Sequence, residues 1–170
     1  MKNNMKKMKL LAKLVNFWPP YLGAGIKVKM FNDDLTYLEV QLKLRWWNKN
    51  YMKTHFGGSL YAMTDPFFML MLIAHLGKHY LVWDKAANIA FKKPAKGIVT
   101  AKFYLPLERI QEIRDQADNH PKVEPSFLVQ IIDEQGDVVT EVEKLLYVKR
   151  KDKINHNRLP TYTKESKPKF

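Results

Sequence analysis

The 170-residue sequence contains no cysteine. Disulfide bonds, thiolate metal sites and cysteine nucleophiles are therefore excluded. The first apolar run is interrupted by Lys13 and is not followed by a convincing cleavage site, so we predict no signal peptide. Together these absences favour a cytoplasmic protein, although a lack of cysteine alone is weak support for that location.

Acidic residues are scarce at both ends of the chain. Residues 1–13 hold five lysines and no acid, and residues 149–170 hold eight Lys or Arg against Asp152 and Glu165. Because these ends carry eleven of the twelve net positive charges, residues 14–148 are nearly neutral. This distribution disfavours a basic nucleic-acid-binding face, and we expect no specific nucleic-acid partner. The basic ends are either solvated tails or sites of weak contact with an anionic membrane or an acidic carrier protein.

The length and composition predict a single globular domain. Hydrophobic residues make up 46% of the chain, which is enough to bury a substantial core at this size. We place the domain at residues 1–150. The remaining segment, residues 151–170, is rich in Lys, Asn, Pro and Thr, so we predict a basic, flexible tail there.

The stretch Gly57–Leu76 has the character of a helix that is apolar almost all round, with one carboxylate, Asp65, near its middle. Such a helix must be enclosed by lipid or by protein. Enclosure by protein is favoured, because Asp65 and Pro66 are both unfavourable in lipid. The Gly57-Gly58 pair allows close approach at the helix start, where unpaired N–H groups point outward. Asp65 and these donors are the best candidates for a site.

The remaining elements alternate between helices and pairs of strands. The order is an N-terminal helix, two strands, the apolar helix, two strands, a charged surface helix and two strands. The predicted helices besides the apolar one are 8–18 and 106–119, and the predicted strands are 24–31, 35–46, 85–93, 97–105, 127–132 and 138–149. The N-terminal helix is expected to pack on the edge of the domain through Leu10, Leu11, Leu14, Val15 and Trp18; a membrane-surface anchor is the alternative.

The residues around the start of the apolar helix form a spaced motif, Asn50, Thr54, Gly57, Gly58 and Asp65. This motif resembles the signature of hotdog-fold acyl-CoA thioesterases of the phenylacetate-pathway type. The later segments 88–97 and 133–139 are similar to a strand and a hairpin of the same family. The resemblance covers roughly residues 22–148, by the order of elements. It implies an α+β hotdog fold, in which a curved antiparallel β-sheet wraps around a long central apolar helix, here with an N-terminal helix and an extra surface helix.

The resemblance implies a thioesterase that acts on acyl-CoA or on an acyl-carrier thioester. Asp65 would be the general base or nucleophile, Gly57 and Gly58 would supply oxyanion donors, and Asn50 would orient water or the acyl carbonyl. The site would span a homodimer interface, with a dimer of dimers as a further possibility. No cofactor is expected beyond the coenzyme A of the substrate.

Further residues are expected to contact the substrate: Thr54, His55, Phe56, Lys93 and Lys96. The two lysines flank the Pro94 turn, where the family often places a basic residue near the coenzyme A phosphates, but solvated loop lysines are an equal alternative. The family has a histidine directly before the two glycines. Here Phe56 occupies that position and His55 is displaced by one. The extra helix at 106–119 resembles an uncharacterised thioesterase-like branch of the superfamily.

Two other functions remain open. The first is a non-catalytic hotdog module that binds acyl groups or a protein partner. The second is a hotdog dehydratase, which is weaker because it needs a well-placed histidine and His55 is out of register. His75 and His79 have the spacing of a helical metal pair, but the sequence offers no third ligand nearby, so we predict no metal site.

Overall fold

The computed structural model of the protein describes residues 2–153, so most of the predicted tail, 151–170, lies outside the described residues. The α-helices within this range are α1 (Lys2–Leu14), α2 (Pro19–Ala24), α3 (Gly57–Ala62), α4 (Phe67–Leu76) and α5 (Leu107–Asn119). The strands are β1 (Ile26–Phe31), β2 (Tyr37–Lys43), β3 (Tyr80–Phe91), β4 (Ile98–Tyr104), β5 (Ser126–Ile132) and β6 (Val138–Arg150).

The six strands form one antiparallel sheet in the order β1-β2-β4-β5-β6-β3. β4 and β5 pair through only two residue pairs, so the sheet is most open in its middle. The edges are β1 on one side and β3 on the other. This curved sheet around an apolar helix confirms the α+β hotdog architecture that the sequence predicted.

The core lies between the sheet and α4, whose ten residues are apolar except for His75. Phe67 and Phe68 contact Phe103 of β4, with ring centroids 5.1 and 5.2 Å apart, and Phe68 stacks on Phe127 of β5 at 4.6 Å. By length and composition, Gly57–Leu76 is also able to cross a membrane, but most of it is buried within the protein. It is the protein-enclosed helix that the sequence predicted.

The apolar stretch is not one continuous helix. α3 ends at Ala62 and α4 begins at Phe67, with a turn between them that includes a cis Asp65-Pro66 peptide bond. The interruption has a physical cause, since Pro66 has no N–H to donate to a helical hydrogen bond. The hydroxyl of Tyr21 lies 3.3 Å from the carbonyl oxygen of Ala62 and also contacts that of Asp65. A side chain of α2 therefore satisfies the carbonyls at the break.

The N-terminal region differs from the prediction in two ways. α1 packs through Met8 and Ala12, while Leu10, Leu11 and Leu14 of the predicted stripe are exposed. The reason is that α1 packs against α4. The side-chain amide of Asn4, in the first turn of α1, donates to the carbonyl oxygens of Ile73 and Ala74 in α4. In addition, Pro19 and Pro20, which follow the predicted helix 8–18, occupy the first positions of α2, a short helix that the sequence did not predict.

The strand predictions hold with shifted ends. β3 starts at Tyr80 rather than at residue 85, because its first residues also pair with β6, from Tyr80 opposite Arg150 onward. The predicted turn at residues 133–136 is present, and Gly136 adopts a φ of 89° that favours glycine. The predicted surface helix is α5, with its apolar side on the core through Ile110 and Ile113.

Candidate active site

Asn50 closes the loop that leads into α3. Its Nδ2 donates to Thr54 Oγ1 at 2.9 Å and to the carbonyl oxygen of His55 at 3.1 Å, and its Oδ1 accepts from the backbone N–H of Thr54 at 3.0 Å. Both ends of the amide are therefore occupied within the loop. Orientation of a water or an acyl carbonyl by Asn50 stays a prediction, and it requires these hydrogen bonds to rearrange.

His55 joins this loop to the turn before β4. Its backbone N–H donates to the carbonyl oxygen of Ala95 at 3.0 Å, and its Nε2 lies 3.3 Å from the carbonyl oxygen of Gly97. Burial lowers the pKa of His55, and the contact with Gly97 opposes that effect. The ring is thus neutral at pH 7. Its Nδ1 is buried and has no hydrogen-bond partner in the described part of the chain.

A surface groove of about 620 Å³ runs between the loop before α3 and the turn after β3. It brings together six of the residues that the sequence singled out. These are Asn50, Thr54, His55, Gly57, Lys93 and Lys96. Phe91, at the end of β3, also lines it. Phe56 and Gly58, which the sequence also singled out, do not line it. Most of the predicted site residues other than Asp65 therefore share one cleft, lined by both apolar and basic side chains.

The two glycines at the start of α3 lie under aromatic rings. The ring of Phe91 covers Gly57, and the ring of Phe56 lies so close to Gly58 that a β-carbon there would collide with it. The backbone N–H groups of both glycines lack intrahelical acceptors, as at any helix start. Both rings belong to exposed side chains and are able to swing away. The side of each glycine on which a β-carbon would stand is thus occupied by an aromatic ring in this structure.

The two predicted substrate lysines are in different electrostatic situations. Lys93 Nζ lies 2.9 Å from Asp133 and 2.5 Å from Asp137, and these partners raise the pKa of Lys93. Lys96 is exposed and makes no ion pair with any described residue. The charge of Lys93 is therefore neutralised by the two carboxylates of the hairpin between β5 and β6, while the charge of Lys96 is available to a ligand.

Asp65 lies in the turn between α3 and α4, and half of its side chain is exposed. Tyr21 fixes the backbone there through its contact with the Asp65 carbonyl oxygen. Burial, followed by the nearby Asp65 carboxylate, raises the pKa of Tyr21, so its hydroxyl remains a donor at neutral pH. The carboxylate is consequently held at the end of the core helix but stays accessible.

Sequence reasoning missed two residues beside Asp65. Lys144 of β6 is 1% exposed, and its Nζ lies 3.1 Å from Asp84 Oδ1 and 3.6 Å from Asp65 Oδ1. The same Nζ lies 5.3 Å from the centroid of the Tyr61 ring, in cation–π contact. A signal was present in the sequence, because Val142, Lys144 and Leu146 alternate on the inward face of a strand.

Asp84 completes this group from β3. Its pKa is raised to about 6, first by burial and then by the neighbouring Asp65 carboxyl group, while Lys144 acts in the opposite direction. Two carboxylates and one lysine thus share a partly buried space. Such an arrangement can hold a carboxylate ready to accept a proton, which is what a general base requires.

Within one chain, the groove and Asp65 are separate. The groove is lined by Gly57 at the start of α3, whereas Asp65 follows the other end of that helix and does not line the groove. The predicted carboxylate and oxyanion donors are therefore not brought together by one protomer.

No group of three or more metal-ligating side chains occurs within residues 2–153. The two histidines with the spacing of a metal pair lie in different environments, since His75 is buried and His79 is exposed. Burial also lowers the pKa of His75.

A family model described as a domain of unknown function, DUF4442, matches residues 7–148. The chain belongs to this family. Comparison with curated protein sequences gives no significant match.

Solved structures resemble the DUF4442 chain over most of its length. A Pseudomonas aeruginosa protein of unknown function, described as a probable thioesterase, has a TM-score of 0.74 at 22% identity, covering 84% of this chain and 95% of that one. A thioesterase from Haemophilus influenzae has a TM-score of 0.59 at 14% identity, covering 86% and 92%. At these identities the likeness establishes the hotdog fold of the DUF4442 chain.

A third similar structure is the PaaI protein of the Escherichia coli phenylacetic acid degradation operon. Its TM-score is 0.56 at 12% identity, and the alignment covers 87% of this chain and 94% of that one. These neighbours support a thioesterase-like hotdog family, as the motif in the sequence predicted.

Proposed function

We propose that this DUF4442 protein hydrolyses an acyl thioester carried by coenzyme A or by an acyl-carrier protein. The observation that carries the proposal is the half-exposed carboxylate of Asp65, held at the end of the core helix beside the buried cation of Lys144. Thioesterase descriptions among the structural neighbours support the reaction class.

In the proposed reaction, Asp65 accepts a proton from a water molecule, and the water oxygen attacks the thioester carbonyl carbon. The carbon–sulfur bond then breaks, and the proton passes from Asp65 to the departing sulfur. The products are a carboxylic acid and a free thiol. In a second version, Asp65 attacks the carbonyl carbon and expels the thiolate, and water then hydrolyses the resulting anhydride and supplies the proton that the thiolate takes up. In a single turnover with heavy-oxygen water, label in Asp65 indicates the second version, with attack of water on the aspartyl carbonyl.

The oxyanion donors are proposed to come from Gly57 and Gly58 of a second copy of the chain. The two edges of the sheet support pairing through β3. Edge strand β1 carries the exposed lysines Lys27 and Lys29, which discourage pairing, whereas residues 86–91 of β3 are uncharged and mostly exposed. In the proposed antiparallel β3–β3 dimer, Asp65 of each copy approaches the start of α3 of the other copy, whereas the two are separate within one chain.

The groove is proposed to bind the carrier end of the substrate. Lys96 stands at the rim without an ionic partner among the described residues, and is therefore suited to a phosphate of coenzyme A or of a phosphopantetheine arm. The apolar lining by Leu60 and Phe91 suits the less polar part of the ligand.

The central experiment compares wild-type protein with Asp65→Asn on a panel of acyl-CoA thioesters, with a thiol-reactive dye as the readout. We expect the variant to lose at least about a hundredfold in kcat, with the melting temperature and dimer mass nearly unchanged. Undiminished turnover would remove Asp65 from the mechanism. Loss of folding would instead indicate that Asp65 has a structural role in the turn.

Lys96→Ala tests the carrier assignment. We expect KM for a coenzyme A thioester to rise severalfold with little change in kcat, because a lost phosphate contact weakens binding in the ground and transition states alike. Lys102→Ala, an exposed lysine of β4 outside the groove, is the control. An unchanged KM in Lys96→Ala would contradict the placement of the phosphates in the groove.

A non-catalytic acyl-binding module is the second candidate, favoured by the engagement of the Asn50 amide within its own loop. The two functions separate in one measurement. Saturable binding of a thioester without release of thiol, over hours at micromolar enzyme, would support the binding module.

A further inference from the structure

The buried Lys144 is not explained by the proposed hydrolysis alone. A lysine is almost never fully buried unless it is paired with an acid. Lys144, at an inward-facing position of β6, is only 1% exposed. Its Nζ makes ion-pair contact with Asp84 and Asp65 but forms no hydrogen bond with any described residue, and Asp84 Oδ1 is likewise without one. The cost of burying this charge indicates a specific role.

Asp84 reaches this lysine from the neighbouring strand. It lies two residues after the buried Val82 and opposite Leu146, so it shares the inward face of the sheet with Lys144. The register between β3 and β6 shifts directly after it, between Asp84 and Ala86, so that Ala87 lies opposite Lys144. Bulges of this kind are common next to active sites.

Three segments contribute groups to the cluster around Lys144 Nζ. The ring of Tyr61 comes from α3, the carboxylate of Asp65 from the following turn, and that of Asp84 from β3. On the other side of β6, Lys144 pairs with Phe127 of β5, which carries no charge. One cation therefore faces two carboxylates and an aromatic ring.

We propose that Lys144 and Asp84 are positioning residues that act on the carboxylate of Asp65 in opposite directions. Lys144 favours the ionised form of Asp65. Asp84 competes with Asp65 for the lysine and for a shared proton. This inference rests on the proposed function, because it assigns to the cluster the control of the general base. The raised pKa of Asp84 is in agreement with the competition, since burial and Asp65 both favour its protonated form.

The proposal predicts shifts of opposite sign from two substitutions. Lys144→Met leaves two facing carboxylates without a cation, so one of them holds a proton to higher pH. The acid limb of the kcat/KM profile should then move up by about one pH unit or more. Asp84→Asn removes the competing carboxylate, so that Lys144 pairs with Asp65 alone. The acid limb of the kcat/KM profile should then move to lower pH.

The experiment measures kcat/KM from pH 4.5 to 9 for wild type, Lys144→Met, Asp84→Asn and the double variant. The double variant loses both influences and should lie between the single variants. Lys102→Met is the matched control, because Lys102 is also a strand lysine near a carboxylate, 4.0 Å from Glu39, but is largely exposed. Its profile should equal that of the wild type.

Loss of stability alone does not produce opposite shifts of a pH limb, so this readout separates positioning from a structural role. Shifts in the same direction, or unshifted profiles with reduced rates, would overturn the proposal. If Lys144→Met fails to fold, the profile of Asp84→Asn alone tests the proposal. A shift of its acid limb to lower pH is predicted only if Asp84 competes with Asp65.

A second measurement needs no turnover. Carboxyl carbon NMR of aspartate-labelled protein follows the titration of Asp84 and Asp65 directly, with each resonance assigned from its own Asn variant. Lys144→Met should raise the titration midpoint of Asp84. If no thioester is hydrolysed, the proposed function fails, yet this titration still tests the cluster. A midpoint of Asp84 that does not respond to Lys144→Met overturns the cluster itself.

Discussion

The ring of Phe91 lies directly over Gly57, so that a β-carbon added at Gly57 would stand 3.0 Å from Phe91 Cζ. This contact joins the end of edge strand β3 to the start of α3. It depends on the absence of a side chain at Gly57, because a methyl group would occupy the space that the ring uses. The same space becomes available to a ligand in the groove when the ring swings aside.

Gly57→Ala should therefore impair the proposed catalysis more than it impairs stability. We expect kcat/KM for a thioester to fall about tenfold or more, since small displacements at a reacting centre are costly. Alanine favours helix over glycine by about 0.5–1 kcal/mol, which offsets the displacement of an exposed ring. Gly23→Ala is the control, because Gly23 is also helical and nothing lies within 4 Å of its added β-carbon. Equal kinetics in the two variants would contradict the oxyanion role of Gly57.

Much of the fold was predictable from residue patterns. The alternation of inward apolar residues located each strand, and the apolar character of Gly57–Leu76 identified the core helix. The face of α1 was predicted wrongly, because Leu10, Leu11 and Leu14 form the stronger apolar stripe. Which stripe is buried depends on where the helix docks, and that long-range contact is not encoded in local periodicity.

The candidate site was predictable only in part. Motif spacing identified Gly57 and Asp65, and α3, which lies between them, keeps them apart within one chain. Lys144 was visible as a charged residue in an inward alternation, whereas Asp84 lay just outside the predicted strand 85–93. The bulge after Asp84 shifts the following side chains of β3 by one position, so the face that they occupy cannot be read from the sequence without the register.

The uncharged edge of β3 should mediate a symmetric dimer. We expect Asn88→Lys to weaken it strongly, because residue 88 is exposed at the centre of the uncharged segment 86–90 and an antiparallel pair brings two copies of it together. Light scattering at micromolar concentration should show a wild-type dimer that buries more than about 1,000 Å². Lys29→Ala on the opposite edge is the control. A monomeric wild-type protein would contradict both the dimer and the composite site.

Acid should destabilise the fold through its buried histidines. Burial lowers the folded-state pKa of His75 below the unfolded value of about 6.5, so the unfolded chain binds a proton first as the pH falls. The stability from neutral His75 is complete above about pH 6.5 and is lost as the pH falls through the folded pKa. The melting temperature of His75→Gln should therefore decline less between pH 7 and 5. His79→Gln, at an exposed position, should follow the wild type, and a parallel decline in His75→Gln would refute this.

The basic ends should control polyanion binding and leave the proposed chemistry nearly unchanged. Residues 154–170 carry four Lys or Arg against one acid, and the motif residues all lie within the nearly neutral interval 14–148. Deletion of residues 154–170 keeps the bond from the Lys151 N–H to the His79 carbonyl oxygen, so the folded domain should be unaffected. We expect weaker heparin binding with a shallower salt dependence, because fewer counterions are released, and kcat on a short acyl-CoA within a few-fold of wild type. A folded, dimeric truncation without turnover would instead place the C-terminal segment at the site, and the assignment of the coenzyme A phosphates to Lys96 would have to be replaced.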